Sequence, residues 1–156
     1  MDKGPKKTAV IGIGNLLLMD EGVGVHVVRE LERKGLPPEV EVIDGGTSTM
    51  ELLPILQEME RIIVIDAVKG GGEPGAVYRI TPEELETEQD RPLSLHQVGL
   101  LDVLGMARQL GPVAEVVIIG VEPKEIRWGM DLSPEVREKV PVVVEAVLEE
   151  LGLREE

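Results

Sequence analysis

The sequence predicts an α/β fold built on a mostly parallel sheet, and three observations carry that expectation. Strand-like apolar runs alternate with helix-length segments along the chain. The run Arg61–Val68, centred on Ile62, Ile63, Val64 and Ile65, is almost continuously apolar, as a central strand covered on both faces must be. The hydrophobic complement is aliphatic: 42% of the 156 residues are hydrophobic, yet there is one Trp, one Tyr and no Phe. Val, Ile and Leu therefore have to build the core. A chain of this length is expected to form one domain over residues 1–156 and to bury its core without staples.

The elements follow in order. Thr8–Ile13 reads as the first strand. Glu21–Lys34 reads as a helix, with Val23, Val27, Val28 and Leu31 at helical spacing, stopped by Gly35 and the Pro37-Pro38 turn. Glu39–Ile43 alternates as a short strand, followed by an Asp44-Gly45-Gly46-Thr47 loop. Thr49–Glu58 reads as a helix with Pro54 in its early turns. After Arg61–Val68, the flexible turn Lys69–Gly75 leads to a strand over Ala76–Ile80. So short a turn makes that strand antiparallel to the one before. Thr81 caps a short helix with Pro82 at its first position. Residues 86–92 are polar and read as a loop. Ser94 caps a helix reaching Leu110, Glu115–Val121 is the last buried strand, and Ser133-Pro134-Glu135 opens a helix to about Leu151. Pro141 lies inside that last helix and is expected to kink it.

Composition narrows function. With no cysteine, disulfides, thiolate metal sites and cysteine catalysis are excluded. A net charge of −14 argues against nucleic acid as a partner, since phosphate backbones demand Lys and Arg. No apolar run is long enough to cross a bilayer, and the opening Met1–Lys7 lacks the apolar centre of a signal peptide, so a cytoplasmic protein without membrane insertion is expected.

The segment Gly12-Ile13-Gly14-Asn15-Leu16-Leu17-Leu18-Met19-Asp20-Glu21-Gly22-Val23-Gly24 has the outline of a phosphate loop but the wrong charge. Asp20 and Glu21 stand where a phosphate would need bare N–H groups, so the loop suits a cation better. The third glycine of a dinucleotide fingerprint is replaced by Leu17, and no Gly-x-Ser-x-Gly elbow is present for serine catalysis.

Parallel sheets bind ligands at the carboxyl ends of their strands. Glu21 follows the first strand, Asp44 ends the second, Asp66 ends the third, and His96 begins the helix after the antiparallel excursion. If the first and third strands are neighbours, Glu21, Asp66 and His96 converge. Two carboxylates and an imidazole suit a divalent transition metal such as nickel, zinc or copper, with coordination positions left open. Each residue also has a structural use: Glu21 as a helix-dipole acid, Asp66 as a cap, His96 as a core-edge histidine. Asp44 with its glycines is either a cradle for an extended peptide, a general base, or a tight turn. His26 lies roughly 140° round the helix from Glu21 and is assigned to the surface or core edge. Trp128 and Met130 read as a hydrophobic lip or as simple packing.

In that order, the Gly12–Gly24 segment, Asp44-Gly45-Gly46-Thr47, Ile65-Asp66-Ala67 and Ser94-Leu95-His96 resemble the hydrogenase maturation proteases. Gly120-Val121-Glu122-Pro123 and the Ser133-Pro134-Glu135-Val136 helix start extend the resemblance over nearly the whole chain. It implies a three-layer α/β/α sandwich around a mostly parallel sheet with one antiparallel strand. It implies an endopeptidase that removes a C-terminal peptide from the large-subunit precursor of a nickel–iron hydrogenase once nickel is in place. By matched position Glu21, Asp66 and His96 would contact metal and serve catalysis, with Asp44 a further acid of the site. The nickel would come with the substrate precursor, with no permanent cofactor. A non-enzymatic nickel-binding assembly factor would use the same three residues, a nucleotide-binding regulator would respond to nucleotide, and a spore-protein protease would share the fold.

Overall fold

The computed structural model describes residues 7–87 and 93–153. Five strands, β1 (Thr8–Ile13), β2 (Val40–Gly46), β3 (Arg61–Ala67), β4 (Val77–Ile80) and β5 (Glu115–Val121), form one sheet in the order β2-β1-β3-β5-β4. All neighbours are parallel except β4, which runs antiparallel to β5. Helices α1 (Val23–Lys34) and α5 (Pro134–Glu150) pack on one face. On the other lie α2 (Leu53–Glu58), α3 (Pro82–Thr87) and α4 (Leu95–Leu110). This is the three-layer α/β/α sandwich with one antiparallel strand that the resemblance implied.

Alternation along the central strands divides the core. Val10, Ile63, Ile65, Val117 and Ile119 face α1 and α5. Ala9, Ile11, Ile62, Val64, Val116 and Ile118 face α4 and its neighbours. Both faces of β1 and β3 are thus buried, which is why these strands read as unbroken apolar runs. At the far end of the sheet from the strand tips, Glu150 of α5 pairs with Arg61 of β3 and Arg79 of β4. No helix among the described residues is long and apolar enough to cross a membrane.

Two glycines set how α1 lies on the sheet. A Cβ on Gly24 would stand 2.2 Å from the Ile65 carbonyl oxygen, and one on Gly12 would stand 2.2 Å from the Gly24 carbonyl oxygen. Helix and strands touch backbone to backbone, so the start of α1 sits over the tips of β1 and β3.

Several expectations shift. The first helix begins at Val23; Met19–Gly22 form a separate 3₁₀ turn, because Met19 takes φ +50° and redirects the chain. β2 extends through Asp44-Gly45-Gly46, expected as loop, because Asp44 pairs with Gly12 and Gly46 with Ile13 across a bulge. The segment from Thr49 is a 3₁₀ turn to Leu52 and then α2, with Pro54 in the first turn of α2, where its missing N–H is no loss. β4 has the expected reversed sense, but its neighbour is β5, which inserts between it and β3. Glu86 and Thr87, expected in a loop, complete α3. The rest of that loop, residues 88–92, and the N-terminal residues 1–6 lie outside the described residues. α5 holds Pro141 inside it, as expected.

Candidate active site

Glu21 owes its position to Asp20. The Asp20 side chain is fully buried and accepts four hydrogen bonds: Lys124 N–H at 2.9 Å, Glu125 N–H at 2.8 Å, Ser133 N–H at 2.8 Å and Ser133 Oγ–H at 2.7 Å. The 3₁₀ turn is thereby bolted to the segment between β5 and α5, and Ser133 also caps α5. Glu21, the next residue, is left facing the cleft above β3. In sequence the two adjacent acids look like a cation-binding pair. The structure separates them: Asp20 spends its charge on backbone donors from a distant segment.

Asp66 stands at the tip of β3, and His96 in the first turn of α4. That turn is fixed by a capping box, in which Ser94 Oγ accepts from Gln97 N–H and the Gln97 side chain accepts from Ser94 N–H. Gln97 then reaches across to β3, where its Nε2 donates to Asp66 Oδ2 at 3.2 Å and to the Ala67 carbonyl at 2.9 Å. One side chain therefore caps the helix and registers it against the strand end. Sequence reading named Ser94 as the cap but missed Gln97; a Gln three residues after a Ser N-cap was the available signal.

With β1 and β3 adjacent, Glu21, His96 and Asp66 meet. His96 Nε2 lies 2.8 Å from Glu21 Oε1, and Nδ1 lies 3.2 Å from Asp66 Oδ2. Ser94 Oγ is also 3.2 Å from Nδ1. Asp66 is buried and takes a further bond from Ala67 N–H, whereas Glu21 is only partly covered. The three side chains form a line, carboxylate–imidazole–carboxylate, with both ring nitrogens engaged. Among the described residues, no three acidic or histidine side chains already surround a common point where an ion would sit.

The two carboxylates favour the charged imidazole. Burial works against a charged His96, but Asp66 and then Glu21 outweigh it and hold His96 up at about 9. Burial pushes the Asp66 carboxyl up, with His96, Gln97 and Ala67 drawing it back. Above the trio opens a cleft of about 250 Å³, walled by Ala67, Lys69, Pro123 and Ile126.

Asp44 does not join this cluster. It pairs with Gly12 on the far side of β1 from β3, in register with Ile65. It therefore points to the α1 face, whereas Asp66, one residue on, points to the α4 face. Asp44 Oδ1 accepts from Gly46 N–H at 3.0 Å, and the residue lines a separate cleft with Gly14, Asn15 and Thr47. His26 is half-buried on the α5 side, away from the trio, as expected. Glu122, buried just after β5, accepts from Tyr78 Oη–H at 2.6 Å and from the N–H groups of Gly70 and Gly72. It shapes the glycine loop that carries Lys69 to the cleft.

The hydrogenase maturation protease sequence profile matches residues 25–150. The chain is 36% identical over 142 residues to the hydrogenase 2 maturation protease of Escherichia coli, covering 89% of this chain and 87% of that protein. It is 38% identical over 135 residues to the hydrogenase expression/formation protein HupD of Bradyrhizobium diazoefficiens, covering 84% and 70%. The E. coli hydrogenase maturating endopeptidase HybD superposes with a TM-score of 0.86 at 35% identity, over 94% of this chain and 92% of that one. The [NiFe] hydrogenase maturation protease HybD of Thermococcus kodakarensis gives 0.78 at 33% identity, over 93% and 98%. Likeness in sequence and in fold extends over most of the chain, and the chain belongs to the hydrogenase maturation protease family of endopeptidases.

Proposed function

We propose that this endopeptidase removes a C-terminal peptide from a nickel–iron hydrogenase large-subunit precursor, and that Glu21, His96 and Asp66 test whether the precursor carries nickel. The observation that supports this most is the bond at 2.8 Å between His96 and Glu21 at the floor of the cleft. It keeps both donors occupied until something displaces the proton between them.

A divalent ion brought by the substrate does so. Metal binding to imidazole releases a proton. Loss of that proton also dissolves the His96–Glu21 bond, freeing Glu21 as a second ligand. Asp66, held by Gln97 and Ala67, stays behind the ring and keeps it oriented. Two carboxylates then balance the 2+ charge. A precursor without nickel cannot displace the proton, and the pair stays closed. A substrate-borne ion held by Glu21 and His96 would supply Lewis-acid polarisation of the scissile carbonyl. We assign Asp44, on the other face of the sheet tip, to holding the extended substrate backbone in the cleft lined by Gly14 and Thr47.

The test is cleavage of purified large-subunit precursor, with and without nickel, followed by intact mass. A defined C-terminal peptide should be lost only from the nickel-loaded form. Glu21→Gln and His96→Ala should abolish cleavage while remaining folded by circular dichroism, and Asp44→Asn should raise KM more than it lowers kcat. Full activity in the Glu21 and His96 variants overturns the assignment. Nickel-dependent association without cleavage by the parent protein would indicate an assembly factor.

A further inference from the structure

The trio leaves the most exposed apolar groups near it unused, and these are not scattered. The chain's single tryptophan, Trp128, is 79% exposed, with Met130 at 62% and Leu17 at 49%. They lie on two segments stitched together: Met19 N–H donates to the Gly129 carbonyl at 2.8 Å, and Gly129 N–H donates to the Leu17 carbonyl at 2.9 Å. Ile126 of the same loop walls the cleft above Glu21 and His96. At the α4 side of that cleft Leu95, next to His96, is 91% exposed.

The loop that presents Trp128 is braced. Its near end is held through Lys124 and Glu125, and its far end through Ser133, all on the Asp20 carboxylate. A side chain held out on such a loop has already lost its backbone freedom, so contact costs less entropy. Exposed apolar surface beside a site marks a macromolecular contact, and Trp is among the side chains most enriched as energetic anchors. Beside Trp128, Arg127 Nε lies 3.5 Å from Glu125 Oε2, and Asp131, next to Met130, lies 3.8 Å from Arg137, so the charges bordering the rim are paired.

We infer that the Leu17–Trp128–Met130 rim is a docking surface for the folded body of the protein substrate, distinct from the cleft that takes its scissile segment. The inference rests on the cleavage function proposed above. The occupant is the substrate protein because the rim continues into the cleft through Ile126. A chain whose tail enters beside His96 carries its body across Trp128, and the matching surface is apolar.

Because there is one tryptophan, protease labelled with 5-fluorotryptophan gives a single ¹⁹F resonance. Adding unlabelled nickel-loaded precursor should shift or broaden it. Trp128→Ala should raise KM about ten-fold or more with kcat retained, and Trp128→Tyr should recover most of the loss. An unmoved resonance at saturating precursor, or an unchanged KM in Trp128→Ala, overturns the inference. A resonance that moves with protease concentration alone assigns the rim to a second copy of this chain and also overturns it. If the parent protein fails to cleave, the functional reading falls by itself, and the ¹⁹F titration still decides whether the precursor docks at the rim.

Discussion

Asp20 and Asp66 are both buried carboxylates, and they differ in what surrounds them. Asp20 is enclosed by backbone N–H groups and a hydroxyl, which fix it in place. Asp66 has the His96 ring as its chief partner. The consequence is a pH dependence centred on His96. Its folded value lies near 9 against an ordinary 6.5. A raised value means the stabilisation is complete below pH 6.5 and is lost as pH rises through about 9. The gap in Tm between the parent protein and His96→Gln should be widest near pH 6 and should close above about pH 9, measured by thermal unfolding across that range. A gap independent of pH would mean that folding leaves the His96 value at its ordinary 6.5. At this scale the convergence of Glu21, Asp66 and His96 was legible because strand tips are where an α/β sheet collects its loop side chains. Asp20 was misread because its partners lie 104 to 113 positions downstream, and nothing local announces them.

Among the elements, α1 is placed by what its sequence lacks. Gly24→Ala would drive a methyl into the Ile65 carbonyl, and neither a strand backbone nor the helix above it yields readily. A loss of about 3 kcal/mol is expected, with reduced cleavage because Glu21 precedes the displaced helix. Gly105→Ala in α4 is the matched control. No atom approaches its added Cβ within 4 Å, so helix propensity should leave stability unchanged or raise it by up to about 1 kcal/mol. Urea unfolding of both variants distinguishes crowding from a generic effect of Gly→Ala. The element pattern was largely readable, since strands buried on both faces and capped helices advertise themselves. β1 and β5 fall on the residues expected, Ser94 caps as expected, and Ser133 stands at the expected start of α5. The neighbour of β4 was not readable, because loop length fixes a strand's sense but not which strand will intervene. The end of β2 was missed because its glycines signal a turn, while pairing with β1 holds them extended.

For the whole molecule, Asp20 joins the first loop to the last third of the chain. Asp20→Asn keeps the shape but turns one acceptor oxygen into a donor facing other donors. A loss of about 3 kcal/mol is expected, together with reduced cleavage, although the Asp20 side chain bonds to Lys124, Glu125 and Ser133 and to no side chain of the trio. Chemical denaturation beside the mass assay checks both. Unchanged stability would show that the clamp is dispensable. Three-layer architecture followed from alternation and an aliphatic core. The clamp and the Glu122 loop did not, because both depend on side chains that only the finished fold brings near their backbone donors.

That clamp also orders events in time. A chain emerging from the ribosome presents Glu21 early, but the donors that fix its neighbour arrive only with Lys124, Glu125 and Ser133, and β4 has no partner until β5 is made. Contacts so far apart in sequence close late. A partly synthesised or truncated chain therefore lacks an assembled cleft, and competence to cut appears together with the last helix.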